Sequence, residues 1–91
     1  MNFLHRRFLA GPDDTVEIAI DNQANVMILD DSNFDNYVQG RGFKYLGGRV
    51  RVTPFRISPP HSGQWNLVID LGGQAGSVRA GFRILRNSEV N

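Results

Sequence analysis

Histidine, serine and aspartate occur near one another at His61, Ser62 and Asp70, a combination of side chains that hydrolases use. A catalytic triad needs these three side chains to converge beside an oxyanion hole. Adjacent residues in a turn face apart, and no nucleophile-elbow sequence surrounds Ser62. We therefore expect no catalytic residue and no enzyme, with hydrolysis at His61 as the weakest hypothesis. His61 is expected to be a turn residue whose ring bonds a backbone carbonyl.

Residues 31–36 begin like a calcium-binding loop, with oxygen-bearing side chains at Asp31, Asn33 and Asp35. Oxygen ligands at alternate positions suit a hard cation. The pattern then fails, because Asn36 replaces the required glycine and Gly42 stands where a bidentate glutamate is needed. A capped helical turn explains the segment better. With two histidines and no cysteine, a zinc site would also lack ligands, so no metal and no cofactor is expected.

Several arginines fall on the outward positions of two predicted strands, with aromatic residues close in sequence to the first pair. Arginine beside aromatic rings on a sheet face is one arrangement that binds single-stranded nucleic acid or phosphorylated ligands. The candidate binding residues, which also include one turn histidine, are Arg49, Arg51, Arg79, Arg83, His61 and Tyr45.

The charges are unevenly distributed, although the net charge is only +1. Seven of the nine acidic residues lie within residues 13–35, and all five charged residues within 41–56 are basic. We expect these acidic and basic segments to pair across the fold or across a dimer. The alternative, that the arginine face is free and functional, stays open from the sequence.

The chain length and composition indicate one small folded domain. Ninety-one residues form one modest core, and 41% hydrophobic with 21% charged residues argue against disorder. We expect a single domain over residues 1–91, with an ordered core over 2–86 and a polar tail over 87–91. No apolar run reaches the roughly 20 residues of a membrane span, and residues 1–9 lack the layout of a signal peptide. A cytoplasmic protein without a membrane partner is expected.

The strand that organises the chain is predicted over residues 64–71, between two turns, and it carries the only tryptophan. Its alternation directs Trp65, Leu67 and Ile69 into the core. In a small sandwich a lone inward tryptophan is typically a core residue and not a ligand platform.

Asp70 falls on the opposite face of this otherwise apolar strand. A covered carboxylate needs a compensating partner. We expect a structural ion pair between Asp70 and one of Arg51, Arg79 and Arg83.

The same alternation predicts strands over residues 15–21 and 77–86. Residues 25–30 are apolar on both faces, which predicts a central strand covered on both sides. The predicted core residues on these strands and on the tryptophan strand are Trp65, Leu67, Ile69, Phe82, Val16 and Ile18.

The remaining elements are less regular. Residues 3–9 suit an edge strand, and residues 42–48 predict a short aromatic strand closed by a glycine pair. Residues 49–57 predict one strand in which Val50 and Val52 share a face and the facing changes near Pro54.

A short helix is predicted between the strands over residues 31–40. Asp31 or Ser32 is the expected N-cap, and Gly40 is expected to end it. Phe34 and Tyr37, three residues apart, would share one face and cover the end of the core.

The pattern as a whole predicts an all-β fold. We expect a small antiparallel β-sandwich, jelly-roll-like or Greek-key-like, of six to eight strands with one short helical turn. A partly open β-barrel is the alternative.

Several local motifs together resemble one bacterial family. They are residues 24–27, 30–34 and 36–37, the pair Gly47-Gly48, and residues 60–63 with Trp65 and 70–73. The chain resembles the family known as domain of unknown function 1883, over residues 2–85. The resemblance implies a compact β-sandwich, found in some members beside a TIR-like domain. It implies no activity and supplies no catalytic residues.

The leading functional hypothesis is a non-enzymatic interaction module that binds a protein partner or a small anionic ligand. Binding of nucleic acid or another anionic ligand through an arginine-rich sheet face is the alternative, although the acidic segment disfavours nucleic acid. Open sandwiches leave strand edges exposed, so homodimer formation is a further hypothesis.

Overall fold

The computed structural model describes residues 3–73 and 76–86, which form two packed antiparallel sheets and one helix. The elements in chain order are β1 (Leu4–Ala10), β2 (Thr15–Ile20), β3 (Ala24–Leu29), α1 (Asp31–Val38), β4 (Leu46–Val50), β5 (Phe55–Ile57), β6 (Gly63–Asp70) and β7 (Ala80–Leu85). The predicted polar tail, residues 87–91, lies outside the described residues. Within the described ranges no helix has the length and apolarity that crossing a membrane requires.

One sheet has four strands in the order β1-β6-β3-β4, and the other has three in the order β5-β2-β7. The tryptophan strand β6 is therefore an internal strand, and β1 is an edge, as predicted. Among the described residues no strand of one sheet pairs with a strand of the other. The predicted all-β sandwich is confirmed, and the barrel alternative is wrong.

The main core lies between the two sheets. Trp65, Leu67 and Ile69 enter it from β6 and are at most 4% exposed, while Val16 and Ile18 of β2 are fully buried. Phe82 of β7 is partly buried and packs on this core, with its ring centroid 5.8 Å from that of Phe8. These predicted core residues are confirmed. Alternation predicts them because each strand presents every second side chain to the opposite sheet.

A second apolar cluster lies on the outer face of the four-stranded sheet. Its buried members are Met27, Leu29, Tyr37 and Val68, with Phe3, Phe34 and Phe43 packed against them. The central strand β3 is consequently buried on both faces, as predicted. Phe34 and Tyr37 do share a face of α1, but they cover the outer face of the sheet and not the end of a single core.

The N-cap of the helix lies one residue earlier than predicted. Asp30 is the N-cap, because its Oδ1 accepts a hydrogen bond of 2.8 Å from the backbone N–H of Asn33. Asp31 lies in the first turn, so neither Asp31 nor Ser32 is the cap. Gly40, with φ +76°, follows the C-cap Gln39 and confirms the predicted end of the helix.

The predicted aromatic strand over 42–48 is wrong, since the chain is irregular until β4 begins at Leu46. The glycine pair lies inside β4, where Gly47 is opposite Met27 and Gly48 is opposite Val26. Gly47 has φ +107°, and a Cβ there would collide with the carbonyl oxygen of Val26. The glycine thus permits a close approach of strands and does not mark a turn.

The predicted continuous strand over 49–57 is also wrong. The chain leaves the four-stranded sheet at Val50 and enters the three-stranded sheet at Phe55, through a segment with a cis Thr53–Pro54 bond. Val50 is buried, whereas Val52 is 79% exposed, so the two do not share a buried face. Near Pro54 the predicted reversal of the inward and outward side chains is explained by the passage of the chain from the four-stranded sheet to the three-stranded sheet.

Candidate functional site

Strand register aligns three polar residues in one row across the outer face of the four-stranded sheet. Asn25 of β3 lies opposite Arg49 of β4 on one side and opposite Asp70 of β6 on the other. Adjacent strands lie about 4.8 Å apart, so the Cα atoms of Arg49 and Asp70 are separated by roughly 10 Å. We call these three residues the groove row.

The groove row lies in a concave surface beside α1, with a volume of roughly 850 Å³. This is within the range of small-molecule sites, which are about 300–1,000 Å³. One side is aromatic, formed by Tyr37, Phe43 and Tyr45. The Tyr37 and Phe43 rings meet edge to face at 5.2 Å, and the Phe43 and Tyr45 rings are 5.6 Å apart. The surface therefore combines an aromatic wall with a few polar groups.

Asp70 is held in the groove by three neutral donors. Its Oδ1 accepts from Asn25 Nδ2 and from the backbone N–H of Gly72, both at 2.9 Å. Its Oδ2 accepts from the Tyr37 hydroxyl at 2.7 Å. No arginine or lysine of residues 3–73 and 76–86 forms an ion pair with this carboxylate. The predicted pairing of Asp70 with Arg51, Arg79 or Arg83 is wrong, because neutral hydrogen bonds satisfy the carboxylate instead.

Tyr37 links the apolar cluster to the groove. Its side chain is 4% exposed, and only its hydroxyl reaches Asp70. Burial, followed by the hydrogen bond to Asp70 and the negative charge of that carboxylate, raises the pKa of Tyr37 well above its usual value. The phenol therefore stays protonated at physiological pH and remains a donor to Asp70.

Arg49 is the one cation that lines the described part of the groove. It is exposed on the edge strand β4, and within the part of the chain that the structure describes it has no carboxylate partner. Tyr45, 48% exposed, lines the same groove. Of the six sequence-predicted binding residues, the structure brings these two together.

The predicted arginine face does not exist as one surface. Arg49 is on β4 and Arg51 follows it, whereas Arg79 precedes β7 and Arg83 is on it. The strands β4 and β7 belong to different sheets, so the four guanidinium groups are divided between them. Alternation along each strand predicts which residues point outward, but outward residues of two strands form a common surface only if both strands lie in the same sheet.

Arg83 is occupied by an ion pair on the three-stranded sheet. Its Nε donates to Glu17 Oε1 at 2.7 Å, and Arg56 Nε donates to Glu17 Oε2 at 2.8 Å. The hydrogen bonds from Arg83 and then from Arg56 lower the pKa of Glu17 below its usual value. Glu17 thus joins the two edge strands β5 and β7 across the central strand β2.

The acidic segment 13–35 supplies the carboxylates of all the ion pairs found among the described residues. These pairs are Arg7–Asp31, Arg56–Glu17, Arg83–Glu17 and Arg86–Asp14. The expected pairing with the basic segment 41–56 is seen in one of these pairs, Arg56–Glu17, whereas Arg7, Arg83 and Arg86 lie outside that segment. Of the basic segment 41–56, Arg56 takes part in these pairs and Arg49 does not.

His61 and Ser62 lie in the turn before β6, away from the groove. The His61 ring donates through Nδ1 to the Ser62 carbonyl at 3.4 Å. The backbone carbonyl of His61 accepts a hydrogen bond from Trp65 Nε1 at 3.1 Å, and the His61 and Trp65 ring centroids are 4.8 Å apart. The predicted turn role is confirmed. Asp70 is at the far end of β6, roughly 25 Å from Ser62 at about 3.3 Å per residue, so these residues do not form a triad.

The residues of the calcium-like segment have structural roles in and around α1. Asp31 accepts from Arg7, Asn33 Oδ1 accepts from the backbone N–H of Lys44 at 2.8 Å, and Asp35 accepts from Gln39 at 3.2 Å. The interpretation as a capped helical segment is confirmed, with a different cap.

A second polar cluster lies on the same sheet face beneath and beside α1. We call His5, Arg7, Asp31 and Asn66 the covered cluster. Asn66 is 1% exposed, accepts from His5 Nε2 at 2.8 Å, and donates to Asp31 at 2.8 Å and to the Leu29 carbonyl at 3.3 Å. Hydrogen bonds from Arg7 and then from Asn66 lower the pKa of Asp31.

Sequence reasoning missed Asn25, Tyr37 and Phe43 as groove residues. One signal was available, because Asn25 is the one polar residue within residues 24–29 and Asp70 directly follows the apolar residues 67–69. Tyr37 and Phe43 carried no such signal, since aromatic residues in a helix or just after it are ordinarily core residues.

A family model described as "Domain of unknown function (DUF1883)" matches residues 1–88, so the chain belongs to this family. The resemblance seen in the sequence is thereby confirmed. No curated protein and no solved structure matches the chain.

Proposed function

We propose that this member of the DUF1883 family is a non-enzymatic binding module that holds a small ligand in the outer-face groove. The ligand carries an anionic group that binds Arg49 and an apolar part that packs on the aromatic wall. The observation that carries the proposal is an exposed guanidinium, without an ion-pair partner among the described residues, beside three aromatic rings in one groove.

The state of Arg49 supports an anion-binding role. A guanidinium presents its donors in a planar fork that matches a carboxylate or a phosphate. Arg56 and Arg83 each donate one hydrogen bond to Glu17, and Arg7 donates to both carboxylate oxygens of Asp31. Arg49 has no carboxylate partner among the described residues, and its position on an edge strand lets a ligand approach from the open side.

The size and lining of the groove support a small ligand and not a polymer. The arginines that would follow an oligonucleotide backbone are divided between two sheets. The groove itself is lined by one cation and one anion, Arg49 and Asp70, among the described residues. A polyanion gains little from such a surface, because its affinity depends on several cations in a line. Nucleic-acid binding is therefore not the function we propose.

The proposed compartment is the cytoplasm, in keeping with a chain that has no cysteine. A protein partner fits the same groove only if it presents an anionic and an apolar group together.

The test uses 3-phenylpropionate, which has one carboxylate and one aromatic ring. Titration of the ¹⁵N-labelled protein should give saturable amide shifts at Gly48, Arg49 and Gly72. Arg49→Gln should weaken binding about tenfold or more, because a charge-assisted bidentate contact is lost. Arg79→Gln is the matched control, since it removes an exposed arginine outside the groove. Shifts that are unchanged in Arg49→Gln would overturn the proposed function, and so would the absence of shifts both with this compound and with its amino-acid counterpart, L-phenylalanine.

A further inference from the structure

We infer that the groove is selective for a zwitterionic α-amino acid with a large apolar side chain. The ammonium group binds Asp70, the carboxylate binds Arg49, and the side chain packs on Phe43 and Tyr45. This inference rests on the proposed function and adds the second charge of the ligand and its chemical class.

The first reason is that the groove contains two opposite charges that do not neutralise each other. Arg49 and Asp70 stand in one row with Asn25 between them. Within residues 3–73 and 76–86 neither has an ion-pair partner. A ligand with only a negative charge would bind Arg49, but its charge would lie near the negative charge of Asp70. The repulsion between these two charges disfavours binding. A ligand with both charges satisfies both residues.

The second reason is the way in which Asp70 is held. Its three donors, Asn25, Gly72 and Tyr37, are all neutral, so they fix the carboxylate without removing its charge. A carboxylate has about four acceptor positions, and three are occupied. Because Oδ2 accepts only from Tyr37 among the described groups, it retains capacity for an ammonium donor from the groove.

The third reason is spacing. The Cα atoms at the two ends of the groove row are roughly 10 Å apart. Charge-assisted hydrogen bonds of about 2.8 Å at each end leave room for two charged groups carried on one carbon atom. An α-amino acid has this arrangement. The long side chain of Arg49 can adjust its reach, while Asp70 is fixed by its three hydrogen bonds.

The fourth reason is the apolar wall that continues from the charged row. Phe43 is partly buried, Tyr45 is half-exposed, and Met27 of β3 lines the same groove. Aromatic faces and a methionine side chain accommodate a large apolar group of variable shape. An α-carbon placed over the groove row would direct its side chain towards this wall or towards solvent, and burial favours the wall.

The test compares L-phenylalanine with three relatives by the same ¹⁵N titration. The first relative, 3-phenylpropionate, lacks the ammonium group. N-acetyl-L-phenylalanine has a neutral amide in place of the ammonium group, and L-phenylalaninamide has a neutral amide in place of the carboxylate. Phenylalanine should bind about tenfold more tightly than each of them, because each relative loses one charge-assisted contact. Alanine should bind more weakly than phenylalanine, because it lacks the apolar ring.

The variant Asp70→Asn removes the negative charge while keeping a side chain that can bond to Asn25 and Gly72. In this variant phenylalanine and 3-phenylpropionate should bind equally, and Asp13→Asn, in an exposed turn, should leave the preference intact. Equal binding of both compounds to the unmodified protein, with Arg49→Gln still weakening it, would overturn this inference and preserve the proposed function. Absence of binding by all four compounds would overturn both.

Discussion

The covered cluster and the groove row contain the same three residue types on the same face of the same sheet. Each has one arginine, one aspartate and one asparagine, and their β6 members, Asn66 and Asp70, are four residues apart. In the covered cluster Arg7 binds Asp31 directly, with Nη2 to Oδ2 at 2.6 Å. In the groove row Arg49 and Asp70 remain separate. The difference lies in whether the charges satisfy each other within the molecule.

The position of α1 accounts for this difference. Asp31 is the first residue of the helix, so the helix carries its own carboxylate over the sheet and towards Arg7 of β1. The asparagine between them, Asn66, is sealed from solvent and bonds to three partners. At the other end of the sheet face the helix contributes only the Tyr37 hydroxyl. That end stays concave and open, and among the described residues its two charged groups, Arg49 and Asp70, form no ion pair.

The largest stability effect is expected in the covered cluster. Asn66→Ala should lower the free energy of unfolding by about 2–3 kcal/mol, because it leaves the buried Leu29 carbonyl and the His5 and Asp31 contacts unsatisfied. Asn25→Ala makes the same change in the groove row and should cost less than about 1 kcal/mol, since water can reach Asp70 there. Urea denaturation of both variants measures the difference. Equal losses would refute the distinction between the buried asparagine of the covered cluster and the solvent-accessible asparagine of the groove row.

An intermediate effect is expected at Tyr37, which belongs to both the helix and the groove. Tyr37→Phe keeps the ring contacts with Phe3 and Phe43 at 5.3 and 5.2 Å. It removes the hydrogen bond to Asp70, which should cost about 1 kcal/mol. Tyr45→Phe is the control and should leave stability unchanged, because the Tyr45 side chain is half-exposed.

Alkaline titration sharpens the prediction for Tyr37. Its pKa is raised in the folded state, so the neutral phenol favours folding below the unfolded-state pKa of about 10. This contribution is lost as the pH rises above that value. Absorbance titration should reveal one tyrosine that ionises above the usual range, and this signal should vanish in Tyr37→Phe. A titration in which no tyrosine ionises above the usual range would contradict the buried hydrogen bond.

The sequence was sufficient for features that depend on local alternation. Val16 and Ile18 of β2, and Trp65 and Leu67 of β6, were predicted as core because one face of each strand is continuously apolar. The double burial of β3 was predicted for a related reason, since its apolar residues occupy both faces.

Features that depend on distant parts of the chain could not be predicted. Gly47 looks like a turn glycine, but its role is set by the Val26 carbonyl on the neighbouring strand. The chain changes sheet between Val50 and Phe55, and alternation cannot distinguish this from a bulge within one strand.

The candidate site was predicted only in part for the same reason. Arg49 and Tyr45 were identified by residue type. The partner of Asp70 was sought among arginines, whereas the register places Asn25, forty-five residues away, beside it. Register between non-consecutive strands is set by the whole sheet and by turns, which no local pattern specifies.

The smallest effect is expected for the ion pair at the rim of the covered cluster. Arg7 and Asp31 have side chains that are 55% and 50% exposed, so solvent screens their attraction. Arg7→Gln should therefore change stability at neutral pH far less than Asn66→Ala. A loss comparable to that of Asn66→Ala would mean that the ion pair, and not the buried asparagine, holds the helix to the sheet.

The pH dependence separates these two contributions of the covered cluster. Arg7 first, and then Asn66, lowers the pKa of Asp31, so the charged carboxylate stabilises the fold above its unfolded-state pKa of about 4. That stability is lost as the pH falls through the lower, folded-state pKa. Thermal melting between roughly pH 6 and pH 2 should show a shallower acid-side decline for Arg7→Gln than for the unmodified protein. The Glu17 ion pairs are present in both proteins and contribute equally to both melting curves. The difference between the two curves therefore reports the contribution of Asp31. Some dependence should remain in Arg7→Gln, because Asn66 still donates to the same carboxylate, and an unchanged curve would show that Arg7 does not act on Asp31 in solution.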